Sequence, residues 1–88
     1  MTLQQLRYIT TVADTGTITE AAKKLYISQP SLTNAIHELE KEMGLTIFNR
    51  TNKGIFISRE GEEFLGYARQ VLAVSYTHLR AHETSAHL

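Results

Sequence analysis

Apolar residues recur along the first 43 positions at helical spacing, in three sets separated by turn-forming residues. The first set is Leu3, Leu6, Ile9, Val12 and Ala13. Thr2 and Gln5 stand before it at capping-box spacing, and Gly16 follows where a left-handed cap is wanted. This predicts a helix over about residues 3–14. Thr17 and Glu20 repeat the capping-box spacing, and Ile18, Ala21, Ala22 and Leu25 make one narrow stripe, a short helix over about 18–25. Small Ala21 and Ala22 allow a second helix to approach closely. Ser28 is a suitable N-cap, Pro30 falls in the first turn, and Ile27 and Leu32 can close a hydrophobic staple. Leu32, Ala35, Ile36, Leu39 and Met43 continue that stripe to Gly44, predicting a third helix over about 29–43.

After Gly44 the period changes. Ile47-Phe48-Asn49-Arg50 and Ile55-Phe56-Ile57 are short β-prone runs joined by Thr51-Asn52-Lys53-Gly54, with Gly54 where a hairpin commonly needs positive φ. Ser58 then caps a fourth helix whose first turn carries Glu60, Glu62 and Glu63, matching the positive end of its dipole. Phe64, Leu65, Ala68, Val71 and Leu72 form its apolar stripe, which fades beyond Leu72. A short tightly packing helix, a turn of about three residues and a longer capped helix is helix-turn-helix geometry. The expected fold is mainly α: a winged helix-turn-helix with three helices, a β-hairpin wing and a C-terminal linker helix. Residues 1–58 form the winged unit, 59–74 the linker helix, and 75–88 an atypical tail.

Composition narrows the chemistry. Eighty-eight residues make one small domain with little room for a deep substrate cavity. With no cysteine, disulfides and thiolate metal sites are excluded. No apolar run approaches the roughly 20 residues of a membrane span, and no signal-peptide core follows the N-terminus, so no membrane partner and a cytoplasmic location are expected. There is neither a cysteine nucleophile nor a serine–histidine–acid set, so no enzyme activity and no cofactor are expected. His78 and His82 share a helix face, with His87 as a third donor, but no ordered second shell supports them. Adventitious metal binding is the reading there, and no functional metal site is expected.

The formal net charge is zero, which is unusual beside the basic footprint of most nucleic-acid binders. Its distribution is more informative. Residues 45–58 carry Arg50 and Lys53 and no acid, and residues 26–37 also lack acid. Negative charge collects in Glu38, Glu40 and Glu42 and in Glu60, Glu62 and Glu63.

Viewed end-on at about 100° per residue, the third helix turns Pro30, Thr33, Asn34, His37 and Lys41 away from its apolar stripe. Gln29 and Ser31 stand at its N-terminal end. These are short or flat hydrogen-bonding side chains of the kind that reach base edges in a major groove. Gln29 and Asn34 carry amides able to bond adenine bidentately, and Thr33 offers a hydroxyl and a methyl. Composition alone equally suits a solvated helix face; the helix-turn-helix context favours double-stranded DNA. Arg50, stiffened by its strand, suits phosphate contact, whereas for Lys53 a solubilising cation is the simpler reading. A winged helix that binds only protein is the alternative, favoured if the outward face proved to be covered.

The runs Leu3-Gln4-Gln5-Leu6-Arg7-Tyr8, Ala21-Ala22-Lys23-Lys24-Leu25, Ser28-Gln29-Pro30-Ser31-Leu32-Thr33 and Leu39-Glu40-Lys41-Glu42-Met43-Gly44 resemble the N-terminal domain of LysR-type transcriptional regulators. So does Leu45-Thr46-Ile47-Phe48-Asn49-Arg50, continuing to Gly61, and the resemblance covers about residues 1–74. It implies homodimers or tetramers built through the fourth helix, with an effector domain beyond it. Phe64, Leu65, Ala68, Val71 and Leu72 are the expected contacts with the second copy. It also implies that Gln29, Pro30, Ser31, Thr33 and Asn34 face bases or nearby backbone, with Arg50 on phosphate. Asn34-Ala35 departs from the family's frequent Arg-Gln, which removes a cation and leaves Asn34 to read a base. Residues 75–84 depart further and resemble translated adaptor sequence, so the chain is expected to be truncated and finished with foreign residues.

Overall fold

Each of the first three helices carries its own start signal, the first and third carry a stop signal as well, and each forms where those signals put it. A computed structural model of the chain describes residues 1–52 and 54–87, with side chains as far as Ser75. Helix α1 runs Leu3–Thr15, α2 Ile18–Leu25 and α3 Gln29–Met43. At the start of α1 the capping box is complete: Gln5 N–H donates to Thr2 Oγ1 at 3.1 Å and Thr2 N–H to Gln5 Oε1 at 3.0 Å. At α2 only half of it forms. Glu20 N–H reaches Thr17 Oγ1 at 3.1 Å, while the Glu20 carboxylate turns to Lys23 at 3.7 Å. Ser28 Oγ accepts from Ser31 N–H at 3.2 Å to start α3. Gly16 and Gly44 end α1 and α3 with φ of 82° and 69°.

Helix α2 ends without a glycine. Tyr26 takes the left-handed conformation instead (φ 57°, ψ 41°), a state that costs an L-residue about 1 kcal/mol. No turn signal in the sequence points to it.

The buried cluster joins Leu6, Ile9 and Val12 of α1 to Ala21 and Ala22 of α2 and to Leu32, Ile36 and Leu39 of α3. Ala21 is fully buried, as expected of the small residues between the helices. The stripes lose cover at their outer ends, where Leu3 and Met43 are exposed.

Strands β1 (Phe48–Thr51) and β2 (Gly54–Ile57) pair antiparallel in the register Phe48↔Ile57, Asn49↔Phe56, Arg50↔Ile55 and Thr51↔Gly54. Ile47, expected as the first strand residue, is instead a fully buried core residue at the root of the hairpin. Its carbonyl accepts from Ser58 N–H at 2.9 Å, closing the hairpin's base. Gly54 has the positive φ expected of the turn, 127°.

Helix α4 runs Arg59–His87, with Gly61 N–H donating to the Ser58 cap at 2.8 Å. Its backbone thus continues beyond residue 74, past the point where the apolar stripe fades. Phe64, Leu65 and Ala68 were expected to meet a second copy of the chain, and within the single chain they already have partners. All three are buried in the chain's own core, and Val71 and Leu72 pack partly against it. The reason is that the first turns of α4 lie along α1, where Arg69 also donates to Asp14 at 2.9 Å. Among the described residues, the large apolar side chains that α4 leaves exposed are Tyr67 and Val74.

Candidate nucleic-acid interface

The outward face of α3 begins at its cap. The Ser28 hydroxyl accepts from Ser31 N–H and donates to Ser31 Oγ at 2.8 Å, so the Ser31 hydroxyl is tied into the cap. Gln29, Pro30, Asn34 and His37 are exposed, together with Glu38 and Lys41. The Gln29 and Asn34 amides make no hydrogen bond among the described residues, which leaves their donors and acceptors open toward solvent.

Thr33 behaves differently. It is half-buried and looks toward the wing, where Arg50 Nη2 donates to its Oγ1 at 3.1 Å. Strand alternation explains the meeting. Phe48, Arg50, Ile55 and Ile57 share the hairpin face turned toward the helices, while Asn49 and Phe56 share the opposite, exposed face. The seam between α2, α3 and the wing, lined by Ile18, Thr33, His37, Glu40, Phe48 and Arg50, encloses about 70 Å³. Small-molecule sites usually hold about 300 Å³ or more, so this is a packing seam and not a ligand pocket.

The acidic cluster seen in the sequence divides three ways. Glu40 turns under the wing, where its Oε2 accepts from Ile47 N–H at 2.6 Å and Phe48 N–H at 3.2 Å. Glu42 pairs with the N-terminal ammonium of Met1. Glu38 stays exposed with no hydrogen bond or ion pair among the described residues. Two of the three charges are thereby occupied, and the two acid-free segments of the sequence, 26–37 and 45–58, are joined in space where Arg50 meets Thr33. Lys53 and the side chains of His78, His82 and His87 lie outside the described residues.

Sequence reasoning missed Glu40 as the wing's anchor and Thr33 as its contact. One signal was available: the two lie seven residues apart, about two turns, and so on one flank of α3. It also missed the exposed ring of Tyr26, 94% accessible at the turn before α3. Among the described residues no group of three or more His, Asp or Glu is arranged to hold a metal ion. No helix among them is long and apolar enough to cross a membrane.

Fold and surface together define a winged helix-turn-helix module whose third helix leaves its polar N-terminal face exposed beside the Arg50 strand of the wing. Residues 3–62 match the family described as bacterial regulatory helix-turn-helix protein, lysR family. The chain belongs to the LysR family. It is 43% identical over 75 residues to the transcriptional regulator ClcR of Pseudomonas putida, covering 85% of this chain and 26% of that protein. It is 38% identical over 86 residues to the regulator TfdT of Cupriavidus pinatubonensis, covering 98% of this chain and 38% of that one. The chain thus spans well under half the length of these relatives. Among solved structures, the BenM DNA-binding domain in complex with catB site 1 DNA superposes with a TM-score of 0.93 at 32% identity, over 98% of this chain and 97% of that one. The complex of the CbnR DNA-binding domain with DNA gives 0.90 at 32% identity, over 98% and 99% of the two chains.

Proposed function

We propose that this chain is the sequence-specific DNA-binding module of a transcription regulator, acting in the cytoplasm without cofactor or catalysis. Helix α3 enters the major groove with Gln29, Pro30, Asn34 and His37 toward base edges. Ser31 and Thr33 lie at its margins, and Arg50 reaches the phosphate backbone. Residues 1–58 carry these contacts, and the linker helix from residue 59 holds two copies together. The contact with the second copy falls to the outward side chains Tyr67, Val71 and Val74, because Phe64, Leu65 and Ala68 are used within the chain. The observation that carries this reading is the free pair of amides, Gln29 and Asn34, on an uncovered helix face. It is supported by the likeness to domains solved on DNA. A module that binds only protein is not favoured, since among the described residues no element covers that face.

Selection from a randomised duplex pool, followed by titration at several salt concentrations, tests the proposal. Binding should fall steeply with salt, as counterions return to the phosphates. Gln29→Ala should lose about 1–3 kcal/mol on the selected site and relax preference at one base pair. Salt-insensitive binding, or selection that yields no preferred sequence, would overturn it.

A further inference from the structure

The geometry points to a second role for Arg50: through Thr33 it is a positioning residue that fixes the angle of the wing against the recognition helix. This rests on the DNA-binding reading for its functional consequence, though not for the structural one.

A two-stranded hairpin is marginal by itself and takes its orientation from what it touches. At its root the Ser58 hydroxyl donates to the Thr46 carbonyl, and two further sets of hydrogen bonds hold the wing. One is the pair of amides at Ile47 and Phe48 donating to Glu40, and the other is Ser58 N–H donating to Ile47. These fix where the hairpin starts, and further out Phe48, Ile55 and Ile57 pack its inward face on the core through non-directional apolar contact. Arg50 lies two residues further out, on the inward face, and its guanidinium meets the Thr33 hydroxyl across 17 positions of sequence. A directional hydrogen bond this far from the root adds an angular constraint that the apolar packing of Ile55 beside it does not supply. It is also the hydrogen bond, among those between described side chains, that joins the wing directly to the outward half of α3.

The chemistry of arginine suits both duties. A guanidinium has five N–H donors in a rigid fork, and Thr33 takes one of them. The rest remain at the edge of the seam, beside the helix that enters the groove. One side chain thus sets the wing's position and keeps donors for the phosphate to which that position brings it. Base contacts specify and phosphate contacts position, so an error in wing angle should cost affinity without changing which sequence is preferred.

The test separates the two duties through Thr33, which can be altered with Arg50 left in place. In the DNA-free protein, Thr33→Val, of similar shape but lacking the acceptor, should lower the backbone NMR order parameters of residues 49–52 and 54–56. Thr33→Ser should restore them. On the selected duplex, Thr33→Val should weaken binding about three- to tenfold, the worth of one hydrogen bond. Phosphate-ethylation interference should be lost at wing-side positions and kept along the groove entered by α3. Base preference should hold, and Thr33→Ser should recover most of the affinity. On an Arg50→Ala background Thr33→Val should cost nothing further, because the partner is already gone. Unchanged order parameters in Thr33→Val would overturn the inference, as would an undiminished cost on the Arg50→Ala background or a shift in preferred base. If the order parameters respond as expected but no duplex is bound selectively, the clamp stands as structure. It is then the DNA-binding reading, and with it the functional half of this inference, that fails.

Discussion

The helix-turn-helix and the wing lie on either side of the same interface, yet they are built by opposite means. Helices α2 and α3 begin with hydroxyls that cap amides three residues on, at Thr17 and Ser28. Those bonds form as soon as the helix does. The wing holds its place by contacts borrowed from far along the chain. Glu40 reaches its first amides from seven and eight residues away, Thr33 takes Arg50 from 17, and Gly61 presses on Ile47 from the next helix. The reading helix is thus specified locally, while the element beside it is specified only once the domain has closed.

That contrast can be broken most sharply at Gly61. A Cβ there would lie 2.5 Å from the Ile47 carbonyl oxygen and 3.0 Å from the Ile47 Cα, both backbone atoms with little freedom to yield. Gly61→Ala should therefore cost about 3 kcal/mol, the upper end of overpacking effects. Thermal melting measures the loss. Element-resolved hydrogen exchange should place the excess opening in the wing and the start of α4, with α2 and α3 following only the global change. Equal opening everywhere would show that the wing is no more dependent than the helices.

A smaller effect is expected at Glu40. Glu40→Ala leaves the Ile47 and Phe48 amides without their carboxylate and should cost about 2 kcal/mol, the scale of a hydrogen bond to a charged group. Glu40→Gln keeps one acceptor oxygen and should recover part of it. Denaturant melts of the three proteins decide the order, and an alanine variant as stable as the parent would remove Glu40 from the wing's support.

The smallest change sharpens the comparison from the helix side. Tyr26 holds a left-handed conformation with its ring almost wholly in solvent, so Tyr26→Asn relieves strain and uncovers almost nothing. It should stabilise the chain by about 0.5–1 kcal/mol, because asparagine tolerates that conformation. A loss of stability would mean that the ring contributes packing that its exposure does not suggest.

How far the sequence could be read follows the same division. Helices α2 and α3 occupy the predicted spans and α1 runs one residue longer, since caps and stripes are local properties. The exposed half of the candidate site was equally open to reading. Gln29, Pro30, Asn34 and His37 sit on the outward face because 100° per residue puts them there. The short β-prone runs on either side of a turn located the wing but started its first strand one residue early. They could not show that Ile47 belongs to the core, because a buried strand residue and a buried root residue look alike in sequence.

What the sequence determined by itself is therefore where the helices begin, where α1 and α3 end, and which face of each is apolar. What only the tertiary structure decided is the partner of each face. Phe64, Leu65 and Ala68 form a stripe that must be buried, and helical spacing says so plainly. Whether α1 or a second copy covers it depends on how the chain returns after the wing, which no local pattern encodes. The same holds for Glu40 and Thr33, polar residues on one flank of α3 until the hairpin folds back over them. Periodicity records that a side chain points inward or outward, whereas its partner is chosen by contacts between segments distant in sequence.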